Sequence, residues 1–129
     1  MKVAVVILNW NGKKLLEQFL SSVVNFSKEA EIYVVDNAST DNSIAYITAT
    51  YPEIKIIQNH LNGGYAKGYN DALQKIEADI FCLLNSDVEV TKNWLHPIIN
   101  SFKQNKNTAI IQPKLLDFKD KTKFEYAGA

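Results

Sequence analysis

The chain has 129 residues with 14 basic and 14 acidic side chains, room for one packed domain and no global positive field of the kind a nucleic-acid backbone or anionic membrane attracts. Hydrophobic residues make up 47% and charged residues 22%, which excludes a disordered or collagenous chain. All 14 basic residues are lysines, so a phosphate must be met by backbone N–H groups, lysine or a metal ion rather than by the bidentate fork of arginine.

In chain order, Val3 to Leu8 is a continuous apolar run, the pattern of a strand buried on both faces of a parallel sheet. It is shorter than a signal-peptide core and runs into polar Asn9. Lys13 to Val24 follows with Leu15, Leu16, Phe19, Leu20, Val23 and Val24 at helical spacing, so a helix with one apolar face is predicted. A second strand is expected at Glu31 to Val35 and a second helix from Asp41, its expected N-cap, to Thr50, closed by Pro52. A third strand is expected at Lys55 to Ile57, a third helix at Tyr65 to Ile76, and a fourth strand, read as buried, at Ile80 to Leu84. A helix over Trp94 to Lys103 and a fifth strand at Ala109 to Ile111 complete the alternation. After Pro113, Lys114 to Phe118 and Phe124 to Tyr126 read as two extended pieces joined by the polar turn Lys119 to Lys123.

This order predicts an α/β domain over residues 1–129, with a mainly parallel sheet, helices on both faces, right-handed crossovers and a C-terminal hairpin. Cys82, the single cysteine, sits in the apolar run Ile80 to Leu84 and is expected to behave as a buried small hydrophobe. One cysteine allows no internal disulfide and no cysteine zinc cage, and a cytoplasmic location follows as the default. No apolar run reaches the length of a membrane span. His60 and His96 have no partner spacing and read as structural or surface residues.

Ligands of open parallel sheets bind outside the carboxyl ends of the strands, where strand order reverses. Those ends carry Asn9 and Asn11, Asp36 and Asn37, Asn59, and Asn85-Ser86-Asp87. Turn and cap preferences account for some of this polarity, but not for its presence at four successive ends, so a ligand crevice is expected there. The first and fourth strands are expected to be neighbours, with Asn9 and Asp87 facing that crevice. The segment NHLNGGYAKGYN (59–70) places Gly63, Gly64 and Gly68 around a helix start, where backbone N–H groups approach an anion. Its spacing is neither the dinucleotide fingerprint nor the P-loop. Lys67 is its only cation, read equally as a phosphate or base contact and as a solvated side chain. Tyr65 and Tyr69 read as packing residues. A carboxylate at Asp87 suits Mg²⁺ or Mn²⁺, which often takes one or two protein carboxylates and fills its remaining positions with water and phosphate oxygens.

Four segments, VVILNWNG (5–12), VVDNASTDNS (34–43), NGGYAKGYNDAL (62–73) and LLNSDVEV (83–90), resemble in order and spacing the first half of family 2 inverting glycosyltransferases. The resemblance implies the Rossmann-like, three-layer GT-A fold. It also implies sugar transfer from a UDP-, dTDP- or GDP-linked donor to an acceptor hydroxyl on a glycan or lipid-linked acceptor, with surface polysaccharide synthesis as the setting. By the same resemblance the backbone around Leu8 and Asn9, with Asn11, flanks the nucleoside, Asp36 accepts a hydrogen bond from the base, and Asn37 joins the nucleotide-sugar site. Gly64, Lys67 and Asn70 lie along the nucleotide, and Asn85, Ser86 and Asp87 occupy the family's D-x-D position, with Asp87 as ligand of a divalent Mg or Mn ion. Asn85 stands where an Asp is frequent, which leaves one carboxylate instead of two.

The closing FEYAGA (124–129) resembles the start of the family's acceptor-side region. The family's general base lies beyond the D-x-D position, and none of Asp117, Asp120 and Glu125 is assigned that role. No catalytic residue is therefore named, and the chain reads as the donor-binding portion of a longer enzyme, membrane-peripheral in its full length. Self-association through apolar surface near Ile110, Ile111, Leu115 and Leu116 is expected. The alternative reading is a non-catalytic nucleotide-binding module. A receiver domain needs clustered acids where Asn9 and Asn11 stand, and a sugar nucleotidyltransferase needs a Gly-rich basic loop that Asn11-Gly12-Lys13-Lys14 matches poorly.

Overall fold

A computed structural model describes residues 1–126. Strands β1 (Val3–Asn9), β2 (Glu31–Asp36), β3 (Lys55–Gln58) and β4 (Ile80–Leu84) form one parallel sheet in the order β3-β2-β1-β4. Helices α1 (Lys13–Phe26), α2 (Ser43–Thr50) and α3 (Tyr65–Leu73) alternate with them. Each strand and helix expected up to residue 90 is present, and β1 and β4 are neighbours as expected. The register runs from Ala4↔Glu31 to Asn9↔Asp36 between β1 and β2, and from Val3↔Ile80 to Ile7↔Leu84 between β1 and β4. Sequence neighbours step outward on one side of β1, and the chain then returns to its other side, so the switch point lies between β1 and β4.

The central strands are continuous apolar runs because both faces are covered. Ala4 and Val6 of β1, with Tyr33 and Val35 of β2, pack against Tyr69, Ala72 and Ile76 from α3 and the turn after it. Val3, Val5, Ile7 and Val34, on the alternate face, are equally buried. Helix α1 buries Leu16, Phe19, Leu20, Val23 and Val24, an i, i+3, i+4, i+7, i+8 stripe. Leu15, expected in that stripe, is exposed.

The contacts cluster in two units, Met1–Trp94 and Leu95–Ala129. Within the described part of the second unit are helix α4 (Leu95–Gln104) and an antiparallel pair, β5 (Leu115–Leu116) with β6 (Phe124–Tyr126). Pro97 is tolerated because it falls in the first turn, where its missing N–H breaks no intrahelical bond. The expected C-terminal hairpin is present, and Asp117 and Asp120 shape its turn by accepting backbone N–H groups of Lys119, Asp120 and Thr122. The last three residues of the FEYAGA segment lie outside the described residues.

Four expectations need correction. Ala109 to Ile111 forms no strand, and Ile110 is 87% exposed; a short apolar triplet becomes a strand only where a ladder partner exists, and none of the described residues pairs with it. β4 is a sheet edge rather than a buried strand, with Phe81 and Leu83 exposed, because no further strand of its own unit, Met1–Trp94, pairs beyond it. Helix α2 begins at Ser43 with Asn42, not Asp41, at its N-cap, and α3 ends at Leu73 instead of Ile76. Cys82 is half-buried, and burial pushes its thiol up to about 11, consistent with the inert role expected of it.

Candidate functional site

The carboxyl ends of β1 and β2 meet in a polar hub. Asp36 and Asn9 are paired in register and almost fully buried. Asn9 Nδ2 donates to Asp36 Oδ1 at 2.9 Å, and Ser39 closes the triangle. Its Oγ donates to the same Asp36 oxygen at 2.6 Å, and its backbone N–H donates to Asp36 Oδ2 at 2.9 Å. Ser39 Oγ also accepts from Asn9 Nδ2 and from the N–H of Asn11. Asn9 Oδ1 has no partner among the described residues and faces Gly12, where a Cβ would lie 2.6 Å from it. Gly12 is thus the space that lets Asn9 turn inward. Ala38 reaches φ 62° and Asn11 φ 48°, so the two turns that frame the rim use left-handed backbone that Asn accepts more readily than Ala.

Asn11 reaches across to the second turn: its Oδ1 accepts from the N–H groups of Thr40, at 2.7 Å, and Asp41. Asp41 in turn accepts from the N–H groups of Lys13 and Ser43 and from the Ser43 hydroxyl. One carboxylate therefore serves the first residue of both α1 and α2, where orphan N–H groups and the helix dipole favour an anion. Burial raises its pKa, but the Ser43 hydroxyl and amide and the Lys13 amide outweigh it and hold Asp41 below the ordinary carboxylate value. A depressed native pKa means its stabilisation is complete above the unfolded value and disappears as pH falls through the native one. The gap in urea midpoint between the parent and Asp41→Ala is expected to be full at pH 7 and to close on acidification; a constant gap would show that the charge is immaterial.

The glycine loop is fixed by amides. Asn37 is buried, and its Oδ1 accepts from Asn59 Nδ2 at 2.7 Å, while its Nδ2 donates to Gly64 O at 3.1 Å and to Asn62 Oδ1 at 3.3 Å. Asn62 Oδ1 also accepts the Gly64 N–H at 2.9 Å. Gly64 lies at φ 94°, ψ −178°, a backbone region restricted to glycine. A Cβ on Gly68 would come within 2.8 Å of Asn37 Nδ2 and 3.0 Å of Leu8 Cδ1, which is why α3 can approach the strand ends this closely. Lys67 is exposed and paired with Asp71 at 2.7 Å, and Asn70 is exposed beside it.

At the switch point, Tyr69 is buried and its hydroxyl accepts from the Leu8 N–H at 3.3 Å and donates to Leu84 O at 3.2 Å. Burial pushes its pKa well above the ordinary tyrosine value. Tyr65 stands edge-on to Tyr69, at 4.9 Å between ring centres, but is largely exposed rather than packed. Its hydroxyl is 3.5 Å from Asn85 Oδ1. Asn85 and Asp87 are exposed and Ser86 half-buried on the turn that leaves β4. No group of three or more His, Cys, Asp or Glu side chains forms a metal cluster among the described residues, so Asp87 could hold a divalent ion only together with ligand oxygens and water.

The structure thus brings the ends of β1, β2, β3 and β4 to one rim. Leu8, Asn9, Asp36 and Asn37 form its floor, and Asn11, Gly64, Lys67, Asn70 and Asn85 to Asp87 lie on its upper turns. Two shallow concavities lie away from it, one of about 490 Å³ between α1 and Glu89 to Lys92, the other of about 280 Å³ near Glu31, Glu53 and Lys55. Neither gathers the hydrogen-bonding side chains found at the rim. Trp10, Ser39 and Asn62 were not singled out from sequence. A serine two residues after Asp-Asn is a side-chain turn signal, and Trp10, 57% exposed at the end of β1, is an exposed aromatic beside a predicted crevice.

The model of Glycosyl transferase family 2 matches residues 4–128, and the chain belongs to that family. An uncharacterized glycosyltransferase of Haemophilus influenzae is 26% identical over 107 residues, covering 80% of this chain and 33% of its own length. Poly(ribitol-phosphate) beta-N-acetylglucosaminyltransferase TarS of Staphylococcus aureus is 29% identical over 101 residues, 74% of this chain and 18% of its own length. The structure of TarS 1–349 in complex with UDP-GlcNAc superposes with a TM-score of 0.73 at 22% identity over 90% of this chain and 38% of that one. The mannosyltransferase PcManGT from Pyrobaculum calidifontis, in complex with GDP-Man and Mn²⁺, gives 0.69 at 22% identity over 78% of this chain and 32% of that one. These neighbours share the GT-A fold that the sequence motifs imply. The chain spans a third or less of the length of these two relatives.

Proposed function

We propose that the chain binds a nucleoside-diphosphate sugar at this rim and is the donor-binding part of a metal-assisted, inverting glycosyltransferase. The observation that carries the reading is that polar side chains stand at the carboxyl ends of all four parallel strands, the side of the sheet on which the switch point between β1 and β4 opens. The complexes of TarS with UDP-GlcNAc and of PcManGT with GDP-Man and Mn²⁺ support it.

In this reading the backbone around Leu8 and Asn9, with Asn11, flanks the nucleoside and Trp10 offers its exposed ring to the base, while Asp36, buried and bonded to Asn9 and Ser39, orders the turn beneath the base in place of the direct hydrogen bond that the resemblance implies. Gly64, Lys67 and Asn70 line the nucleotide, and Asn85, Ser86 and Asp87 meet the diphosphate. Asp87 fits a Mg²⁺ or Mn²⁺ ion whose other positions are filled by phosphate oxygens and water. The ion supplies the charge neutralisation that a chain without arginine cannot make from guanidinium groups. With Asn85 neutral, ion and nucleotide depend on each other for binding.

Residues 1–129 are proposed as one functional domain, with a glycan or lipid-linked acceptor, a place in surface polysaccharide synthesis and a cytoplasmic setting, membrane-peripheral in the full-length enzyme. No helix among the described residues is long and apolar enough to cross a membrane. The apolar side chains of Ile110 and Leu116 are exposed, which supports self-association of the isolated chain. Asp117 accepts the N–H groups of Asp120 and Lys119, and Asp120 accepts the hydroxyl and then the N–H of Thr122; these bonds hold both below the ordinary carboxylate value, despite partial desolvation. Such groups are poor proton acceptors, and no base is assigned to them.

The purified chain is therefore expected to bind UDP or GDP in the presence of Mn²⁺ and to give at most slow donor hydrolysis with a nucleotide sugar. Because a positioned base contributes about 10²–10⁴-fold in rate, robust acceptor-dependent turnover would show that the base lies within these residues.

A further inference from the structure

We infer that Asn37, Asn59 and Asn62 form a positioning relay that sets the glycine loop, and that Asn37 acts through this loop instead of contacting the nucleotide. The inference rests on the donor-binding reading for its functional meaning, but not for its geometry.

Three carboxamides from three different segments are joined head to tail. Asn59, just after β3, donates to Asn37, just after β2; Asn37 donates to Asn62 in the loop. The two ends of the relay close on a single residue, with Asn62 taking the Gly64 N–H and Asn37 giving a hydrogen to the Gly64 carbonyl. That carbonyl also accepts the N–H of Gly68, the hydrogen bond that opens α3. Gly64 is thereby held in its glycine-only conformation from both sides, and the start of α3 is placed at the rim before any ligand arrives. Both Nδ2 donor bonds of Asn37 go to the loop and its Oδ1 is held by Asn59. The side chain lies beneath Gly68, at 2% exposure, where a ligand has no access.

The chemistry requires amides. An amide presents a donor and an acceptor at opposite corners of one plane, whereas a carboxylate presents acceptors only. Asn37→Asp keeps the shape but turns an oxygen toward the Gly64 carbonyl and Asn62 Oδ1, so the relay is broken at its centre without a change in volume. Asn62→Ala breaks it at its exposed end, where the fold is not at risk.

The test is amide hydrogen exchange of the full chain, read residue by residue over 62–68, for the parent, Asn37→Asp and Asn62→Ala, alongside titration with UDP and with GDP in the presence of Mn²⁺. Exchange over 62–68 is expected to rise on the order of tenfold in each variant, as for the net loss of one or two intramolecular hydrogen bonds. UDP and GDP affinities are expected to fall by the same factor, since a misplaced loop is indifferent to the base. Unchanged exchange in Asn62→Ala would overturn the relay, as would a changed UDP-to-GDP ratio in Asn37→Asp with loop exchange unaltered, which is the mark of direct base contact. If the parent binds neither nucleotide, the donor-binding reading fails, while the exchange data alone still decide whether the amides set the loop.

Discussion

Replacing Asp87 by Asn is expected to abolish the part of nucleoside-diphosphate affinity that depends on Mn²⁺ or Mg²⁺, while leaving the melting temperature unchanged. Asp87 is exposed on the turn after β4, so its removal disturbs no packed contact. With Asn85 in place of a second carboxylate, no other acid of the Asn85-Ser86-Asp87 turn can anchor the ion. A charge-assisted contact contributes about 1.5–3 kcal/mol, and the upper end corresponds to a loss of roughly a hundredfold. Calorimetric titration with UDP and GDP, with and without Mn²⁺, separates the two contributions. The variant should bind as weakly with metal as the parent does without it, and a variant that keeps the metal enhancement would remove Asp87 from the site.

The largest loss of stability is expected at Asp36. Its carboxylate is buried and collects Asn9 Nδ2, the Ser39 hydroxyl and the Ser39 N–H. Asp36→Ala leaves Asn9 with only its 3.3 Å contact to Ser39 Oγ and strands two further donors in a site that Gly12 already packs closely. Unsatisfied buried groups cost about 1–3 kcal/mol each, so a net loss of about 3 kcal/mol is expected, a large share of the roughly 5–15 kcal/mol that holds a domain together. Urea unfolding followed by Trp10 and Trp94 fluorescence reads this directly. A loss under about 1 kcal/mol would mean that the hub is solvated or rearranges freely.

The strands and helices up to residue 90 were legible because their periods are clean. β1 and β2 are continuous apolar runs, and α1 repeats every three to four residues. The rim was legible in outline, since a polar residue directly after each apolar run can be read without knowing the fold. The β1–β4 pairing was anticipated from the switch-point rule, but not which runs find a further partner or cover. An apolar run such as Ile80 to Leu84 looks the same whether or not a neighbour covers its edge, and Ala109 to Ile111 looks the same with or without a ladder partner. Side-chain partnerships between segments were equally hidden. Asn37, Asn59 and Asn62 are 22 to 25 residues apart in their hydrogen-bonded pairs, and only the parallel register that brings the ends of β2 and β3 together makes them neighbours. Asp41 was expected to be the N-cap residue of α2; Asn42 holds that position, and Asp41 instead accepts the first N–H of both α1 and α2, because Lys13 lies within reach from 28 residues away.

The central claim, that a nucleoside diphosphate and a divalent ion bind together at the carboxyl ends of the strands, is tested most directly by amide chemical-shift mapping of the chain with UDP and Mg²⁺, added singly and together. Shifts are expected to be largest with both present and to fall on Asn9 to Gly12, Asp36 to Ser39, Asn62 to Asn70 and Asn85 to Asp87. Shifts confined to the opposite ends of the strands, around Lys2, Glu31 and Lys55, or no shifts at millimolar UDP with Mg²⁺, would contradict it.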